Sequence, residues 1–138
     1  MGTLGFAFIH GGSHGSWAWS DIRQRLHLPS VAVDLPGRYG TSDEELRGIR
    51  LGDWVESATM QIRELDVERI FLVGHSLAGI TMPGVARALR GRIEQMVFLS
   101  CFIPAEGKSV ADSMLPVERE QLADGVLRVS PLVLRAQM

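Results

Sequence analysis

Four short apolar runs divide the chain, and each of them stops at a loop signal. The runs are rich in β-branched and aromatic residues and lack polar alternation, which is typical of strands buried on both faces of a parallel sheet. The predicted strands are Leu4–Ile9, Ser30–Asp34, Arg69–Val73 and Met96–Ser100.

Apolar residues recur at helical spacing between these runs. The predicted helices are Trp19–Leu26, Leu51–Leu65 and Leu77–Leu89. Asp53 and Glu56 predict a capping box at the start of the second helix. Pro83 lies inside the third helix, and we expect it to bend that helix, because an interior proline removes a backbone hydrogen bond.

The elements alternate as β-α-β-α-β-α-β, an order that favours right-handed crossovers. The fold class is therefore α/β, with a doubly wound, mostly parallel sheet and helices on both faces. After Pro104 the pattern weakens. Val117–Ala123 predicts a short helix, and Val126–Leu134 is apolar but interrupted by Pro131, which argues against a central strand.

Length and composition narrow the class of protein. The 138 residues, 46% of them hydrophobic and 22% charged, predict a single globular domain over residues 1–138. A net charge of -2 gives no electrostatic reason to expect nucleic acid or a membrane as a partner. Cys101 is the only cysteine, which excludes an internal disulfide and a cysteine-built zinc site. We expect no cofactor or metal. We also expect a cytoplasmic location, because no signal segment or membrane span is evident.

The segment Gly74-His75-Ser76-Leu77-Ala78-Gly79 follows the third strand and precedes the third helix. Small residues two positions either side of Ser76 fit a sharp strand-to-helix turn, in which larger side chains would clash. Such a turn strains the serine backbone and lifts its hydroxyl off the sheet, with the positive end of a helix behind it. Ser76 is therefore the candidate nucleophile.

A second glycine-rich segment, His10-Gly11-Gly12, follows the first strand. Acyl transfer needs backbone N–H groups directed at the developing oxyanion. The N–H groups of Gly12 and Leu77 are the candidate oxyanion hole. Two such segments, each at the carboxyl end of its own strand, indicate acyl transfer more specifically than either segment alone.

These segments resemble the amino-terminal half of an α/β-hydrolase over roughly residues 4–108. His10-Gly-Gly-Ser-His-Gly-Ser-Trp17 closely resembles the oxyanion loop of the plant methyl-esterase and hydroxynitrile-lyase branch and its bacterial esterase relatives. Asp34-Leu-Pro-Gly-Arg-Tyr-Gly-Thr-Ser42 resembles that family's loop after the next strand, and Leu99-Ser-Cys-Phe-Ile-Pro104 the stretch beyond the nucleophile.

The resemblance implies a serine hydrolase that acts on a small-molecule carboxylic ester. Family members continue through a cap, further strands, an acid and a catalytic histidine, so the resemblance also implies a fold truncated after about four strands. Residues 105–138 are the candidate remnant of the cap. Glu106 and Asp112 match the family's acid poorly. An alternative is therefore a non-catalytic module that lacks the triad histidine and acid.

A second alternative is a hydroxynitrile lyase. The lyases that this loop resembles carry a hydroxyl side chain immediately after the first histidine, where this chain has Gly11. That glycine favours the esterase.

The four histidines all lie at or before the nucleophile. His14 is the best internal candidate to reach the pocket, and Gly11, Trp17 and His75 are further candidate pocket residues. We expect His75 to pack under the turn, His10 to brace the oxyanion loop and His27 to lie at the surface. Asp34 is expected to hold the turn at Leu35–Gly37 rather than to act as the triad acid.

The fourth strand is expected at the edge of the sheet. It is apolar on both faces, and such edges pair readily with other chains. We expect self-association through Met96–Ser100, or coverage by Val126–Leu134, to bury Phe98.

Overall fold

The computed structural model describes residues 2–37 and 40–114 and the backbone of 122–123 and 126–127. Within these residues the order of strands and helices is the predicted one, with additions. The strands are β1 (Leu4–Ile9), β2 (Ser30–Ala32), β3 (Arg69–His75), β4 (Ile93–Leu99), β5 (Leu122–Ala123) and β6 (Val126–Leu127). The helices are α1 (Ser20–Arg25), α2 (Asp43–Gly48), α3 (Leu51–Arg63), α4 (Ala78–Ala88) and α5 (Val110–Ser113), and a 3-10 turn at Ser16–Trp19 precedes α1.

The first four strands form one parallel sheet in the order β2-β1-β3-β4. This confirms the predicted α/β class. The chain places β2 on one side of β1 and β3 on the other, so the strand order reverses between β1 and β3. The strands β5 and β6 form a separate antiparallel pair.

Both faces of the sheet are covered, as the apolar strands predicted. On one face, α3 and α4 pack against β1 and β3, and Ile62 and Met82 are fully buried there. On the other face, Phe8, Trp19 and Val73 form a smaller cluster, in which the rings of Phe8 and Trp19 are 4.9 Å apart. Alternate residues of each strand thus supply two cores.

Pro83 lies inside α4, which the structure retains as a helix of 11 residues. Among the described residues no helix is long and apolar enough to cross a bilayer.

Two helix starts differ from the prediction. Asp53 is not the N-cap of α3 but its third residue, and it accepts a hydrogen bond of 2.6 Å from the Arg50 N–H. The helix α2 was not predicted, although Ser42 and Glu45 form a capping box at its start. There the Ser42 hydroxyl and N–H hold the pKa of the Glu45 carboxyl below its ordinary value.

The helix predicted at Val117–Ala123 is wrong at its end. Leu122–Ala123, predicted as the end of a helix, form β5, while 117–121 lie outside the described residues. Most of Val126–Leu134 lies outside them as well.

Candidate active site

Ser76 lies at the predicted sharp turn between β3 and α4. Its φ is 55°, in the left-handed region that non-glycine residues rarely adopt. The strained turn predicted from the sequence is confirmed.

The need for small residues around Ser76 is visible in the packing. A Cβ built on Gly74 would lie 2.8 Å from the Ala78 Cβ and would collide with the Met82 sulfur. The two positions that flank Ser76 at a distance of two residues therefore approach each other directly. A larger pair would force β3 and α4 apart.

The carboxyl end of β1 lies beside this turn. Ile9 pairs with Gly74 in the sheet, so the His10-Gly11-Gly12 segment emerges next to Ser76. In open α/β sheets, ligands bind in the crevice outside the carboxyl ends of the strands where the strand order reverses. The crevice between β1 and β3 is that place in this fold.

The two candidate oxyanion residues are neighbours. A Cβ built on Gly12 would lie 3.5 Å from the Leu77 Cδ2, an ordinary contact distance. Gly11 lies against Ser76, because a Cβ built on Gly11 would lie 3.0 Å from the Ser76 Cβ. The structure thus brings Gly11, Gly12, Ser76 and Leu77 together.

His75, which precedes Ser76 in the chain, faces a second histidine. The rings of His14 and His75 are 6.1 Å apart and nearly perpendicular, and both residues are half-buried. Burial lowers the pKa of His75, and the nearby His14 lowers it further. His75 therefore favours its neutral form.

Hydrogen bonding orients the His14 ring. Its Nδ1 lies 2.8 Å from the Gly12 carbonyl oxygen, which can only accept. In the neutral imidazole the proton is then on Nδ1 and the lone pair is on Nε2. Trp17, which is 46% exposed, lies with its ring 5.4 Å from that of His14.

His10 is buried and braces the loop, as expected. Its Nδ1 lies 2.7 Å from the Gly11 carbonyl oxygen, and its Nε2 accepts a hydrogen bond of 3.1 Å from the Leu35 N–H. One imidazole thus ties the segment after β1 to the segment after β2. His27 is exposed, also as expected.

Asp34 binds a segment that is distant from it in sequence. Its carboxylate accepts hydrogen bonds from the N–H of Ser16 at 2.7 Å and from the Ser16 hydroxyl at 3.0 Å. These bonds fix the start of the 3-10 turn. The role of Asp34 at Leu35–Gly37 stays a prediction. The prediction missed the contact because the two residues are far apart in sequence.

The segment after β4 is a neighbour of Ser76 that the sequence does not predict. The Ser76 N–H donates to the Leu99 carbonyl at 3.1 Å, and the Phe102 N–H donates to the Ser76 carbonyl at 3.0 Å. The Cys101 thiol lies 3.3 Å from the Gly74 carbonyl oxygen. Burial raises the pKa of this thiol above its ordinary value.

Comparison with known proteins places this architecture in a family. Residues 6–137 match the sequence profile of the alpha/beta hydrolase family. The chain is 29% identical over 114 residues to a carbendazim hydrolyzing esterase of Nocardioides, covering 80% of this chain and 47% of that protein. It is 31% identical over 104 residues to methylesterase 10 of Arabidopsis thaliana, covering 72% of this chain and 38% of that protein.

Two solved structures share the fold of this chain. An extracellular α/β-hydrolase from a Paenibacillus species superposes with a TM-score of 0.68 at 23% identity, covering 86% of this chain and 49% of that one. Tomato methylketone synthase I gives a TM-score of 0.62 at 23% identity, covering 79% of this chain and 44% of that one. The chain thus spans less than half the length of these relatives. With its parallel sheet and its match over residues 6–137, the chain belongs to the alpha/beta hydrolase family.

Proposed function

We propose that the chain acts as a serine hydrolase on small carboxylic esters, by acyl transfer through Ser76. The observation that carries this proposal is the φ of 55° at Ser76, at the junction of β3 and α4. A strained backbone at the mouth of the crevice between β1 and β3 is the kind of outlier that points to function. The names of the two esterases described above support the ester as the substrate class.

The proposed reaction has two stages. The Ser76 Oγ attacks the ester carbonyl carbon and passes its proton to a base, and the bond to the alcohol oxygen breaks. The alcohol leaves with that proton, and water then cleaves the acyl-serine to give the acid and restore the hydroxyl. In both stages the N–H groups of Gly12 and Leu77 would bind the oxyanion, helped by the positive end of α4.

His14 is the candidate base within the described residues. Its Nδ1 is directed at the Gly12 carbonyl, so the lone pair of neutral His14 lies on Nε2. His10 uses both ring nitrogens in the loop, and His27 is exposed. A base that reaches Ser76 from a partner chain is the other route.

No triad acid is proposed among the described residues. Asp34 bonds to Ser16, and Asp112 accepts hydrogen bonds from the N–H and hydroxyl of Ser109 at the start of α5. Glu106 is exposed. This arrangement favours the alternative of a non-catalytic module more than any other observation does.

The lyase alternative is disfavoured by packing as well as by sequence. A side chain at position 11 would meet the Ser76 Cβ at 3.0 Å and the His75 Nδ1 at 3.2 Å. A hydroxyl side chain at position 11 would therefore press against the turn at Ser76.

Hydrolysis of a p-nitrophenyl ester from about pH 5 to about pH 9 tests the proposal, because the rate should follow the protonation of the base. Turnover that is lost in both Ser76→Ala and His14→Ala supports acyl transfer with His14 as the base. Turnover lost only in Ser76→Ala supports the nucleophile with a different base. A rate that neither substitution changes supports the non-catalytic module.

A further inference from the structure

A second strained serine lies beside the first. Ser100 follows β4 and has a φ of 46°, while Ser76 follows β3 with a φ of 55°. Since β3 and β4 are adjacent and parallel, with His75 opposite Leu99, both serines lie at the same edge of the sheet. An L-residue adopts this conformation only when its surroundings impose it.

The residues on either side of Ser100 hold both backbone polar groups of Ser76. Leu99 precedes Ser100, and its carbonyl accepts the Ser76 N–H at 3.1 Å. Phe102 follows two residues later and returns an N–H to the Ser76 carbonyl at 3.0 Å. The left-handed conformation of Ser100 is what turns the chain between these two bonds. We call Leu99–Phe102 the β4 turn.

The β4 turn also packs against both elements that flank Ser76. On the strand side, the Cys101 thiol bonds to the Gly74 carbonyl at 3.3 Å. On the helix side, a Cβ built on Gly79 would collide with the Phe102 carbonyl oxygen and lie 2.9 Å from the Cys101 Cβ. The turn therefore contacts the chain before, at and after the candidate nucleophile.

We infer that Ser100 is a positioning residue for acyl transfer at Ser76: its left-handed conformation sets the β4 turn, and the β4 turn holds the strained backbone of Ser76. The inference rests on the proposed function for its effect on reactivity. The Ser100 side chain is exposed, so the residue acts through its backbone conformation. Glycine adopts this conformation without strain, alanine with difficulty, and valine least readily.

The labelling of Ser76 by a fluorophosphonate probe measures the effect. At saturating probe we expect Ser100→Gly to label at about the wild-type rate. Ser100→Val should label on the order of tenfold to a hundredfold more slowly, since small displacements of a reacting group have effects of this size. The probe concentration for half-maximal rate should change little. Ser100→Ala should fall between them, and it gives the answer if the valine variant does not fold.

A substitution at a second position with positive φ, far from Ser76, is the matched control. Gly91 has a φ of 89° and open space around it, at the opposite end of β4. Gly91→Val should lower stability yet leave the labelling rate unchanged. Equal slowing in Gly91→Val and Ser100→Val, or wild-type labelling in Ser100→Val and Ser100→Ala, overturns the inference.

Amide hydrogen exchange separates this inference from the proposed function. In Ser100→Val or Ser100→Ala the amides of Ser76 and Phe102 should exchange faster than in wild type, because their hydrogen bonds depend on the turn. The Ile70 amide, which donates to Arg92 at the other end of β4, should keep its rate. If the wild-type protein is not labelled at all, the proposed function fails. Unchanged exchange at Ser76 and Phe102 overturns the positioning role whatever the labelling shows.

Discussion

Gly11 lies directly against Ser76. A Cβ built on Gly11 would be 3.0 Å from the Ser76 Cβ and 3.2 Å from both the Nδ1 and the carbonyl oxygen of His75. Few real Cβ atoms have such close contacts, and here one neighbour is the strained turn itself. The glycine lets the chain after β1 approach the turn after β3.

Gly11→Ala is therefore expected to lower the free energy of unfolding by about 1–3 kcal/mol, the usual range for overpacking. It should also slow the labelling of Ser76. The control is Gly52→Ala in α3, where nothing lies within 4 Å of the added Cβ. That substitution should stabilise the protein by about 0.5–1 kcal/mol, because alanine has the higher helix propensity. Urea unfolding of both variants makes the comparison, and equal effects would contradict it.

His10→Ala is expected to destabilise the loops that follow β1 and β2. The buried imidazole accepts the Leu35 N–H, and its removal leaves that donor without this partner at a cost of about 1–3 kcal/mol. The exposed His27 is the matched control, and His27→Ala should change stability little. Thermal unfolding of the two variants tests this. A smaller loss in His10→Ala than in His27→Ala would show that His10 does not brace the loops.

His75 should make stability depend on pH. Burial, and to a lesser extent His14, lowers its pKa in the folded protein, whereas the unfolded chain has the ordinary value of about 6.5. Between these two values the unfolded state binds more protons, so stability falls as the pH drops through about 6.5. The loss is complete below the folded pKa.

Urea unfolding at about pH 7.5 and about pH 5.5 measures this difference. His75→Gln removes the titrating group, and we expect it to lose less stability on acidification than wild type. His27→Gln is the control and should keep the wild-type difference. A His75→Gln variant that loses as much as wild type would show that His75 is not the group responsible.

The predictable parts of this molecule were those encoded locally. Ser76 could be placed in a strained turn because the small residues Gly74 and Ala78 flank it between a predicted strand and a predicted helix. The start of α3 was misplaced because Asp53 suits both the N-cap and the third position of a helix. The contact of Asp34 with Ser16 and the return of Phe102 to Ser76 depend on how distant loops meet. A single sequence does not show which distant loops come into contact.

The edge strand β4 is expected to mediate self-association. Among the described residues β4 pairs only with β3, and its Met96 and Leu99 side chains are 37% and 42% exposed. Phe98 is half-buried against the larger core of its own chain. The exposed apolar side chains of the edge are therefore Met96 and Leu99.

Sedimentation over a range of concentrations tests this association. We expect wild type to form dimers or larger species and Met96→Lys to be monomeric, because a lysine on an edge strand opposes pairing. Met60→Lys is the control, since Met60 is 60% exposed on α3 and away from the edge. A wild-type protein that stays monomeric at every concentration would contradict the expectation.

The most direct test of the account is covalent labelling of the wild-type protein by a fluorophosphonate, with the site identified by peptide mass spectrometry. In this reaction the Ser76 oxygen bonds to phosphorus and fluoride leaves, so a label reports an activated serine rather than a bound ligand. The account predicts one adduct, on Ser76, that is absent in Ser76→Ala. An unlabelled wild-type protein, or the same label in Ser76→Ala, would contradict it.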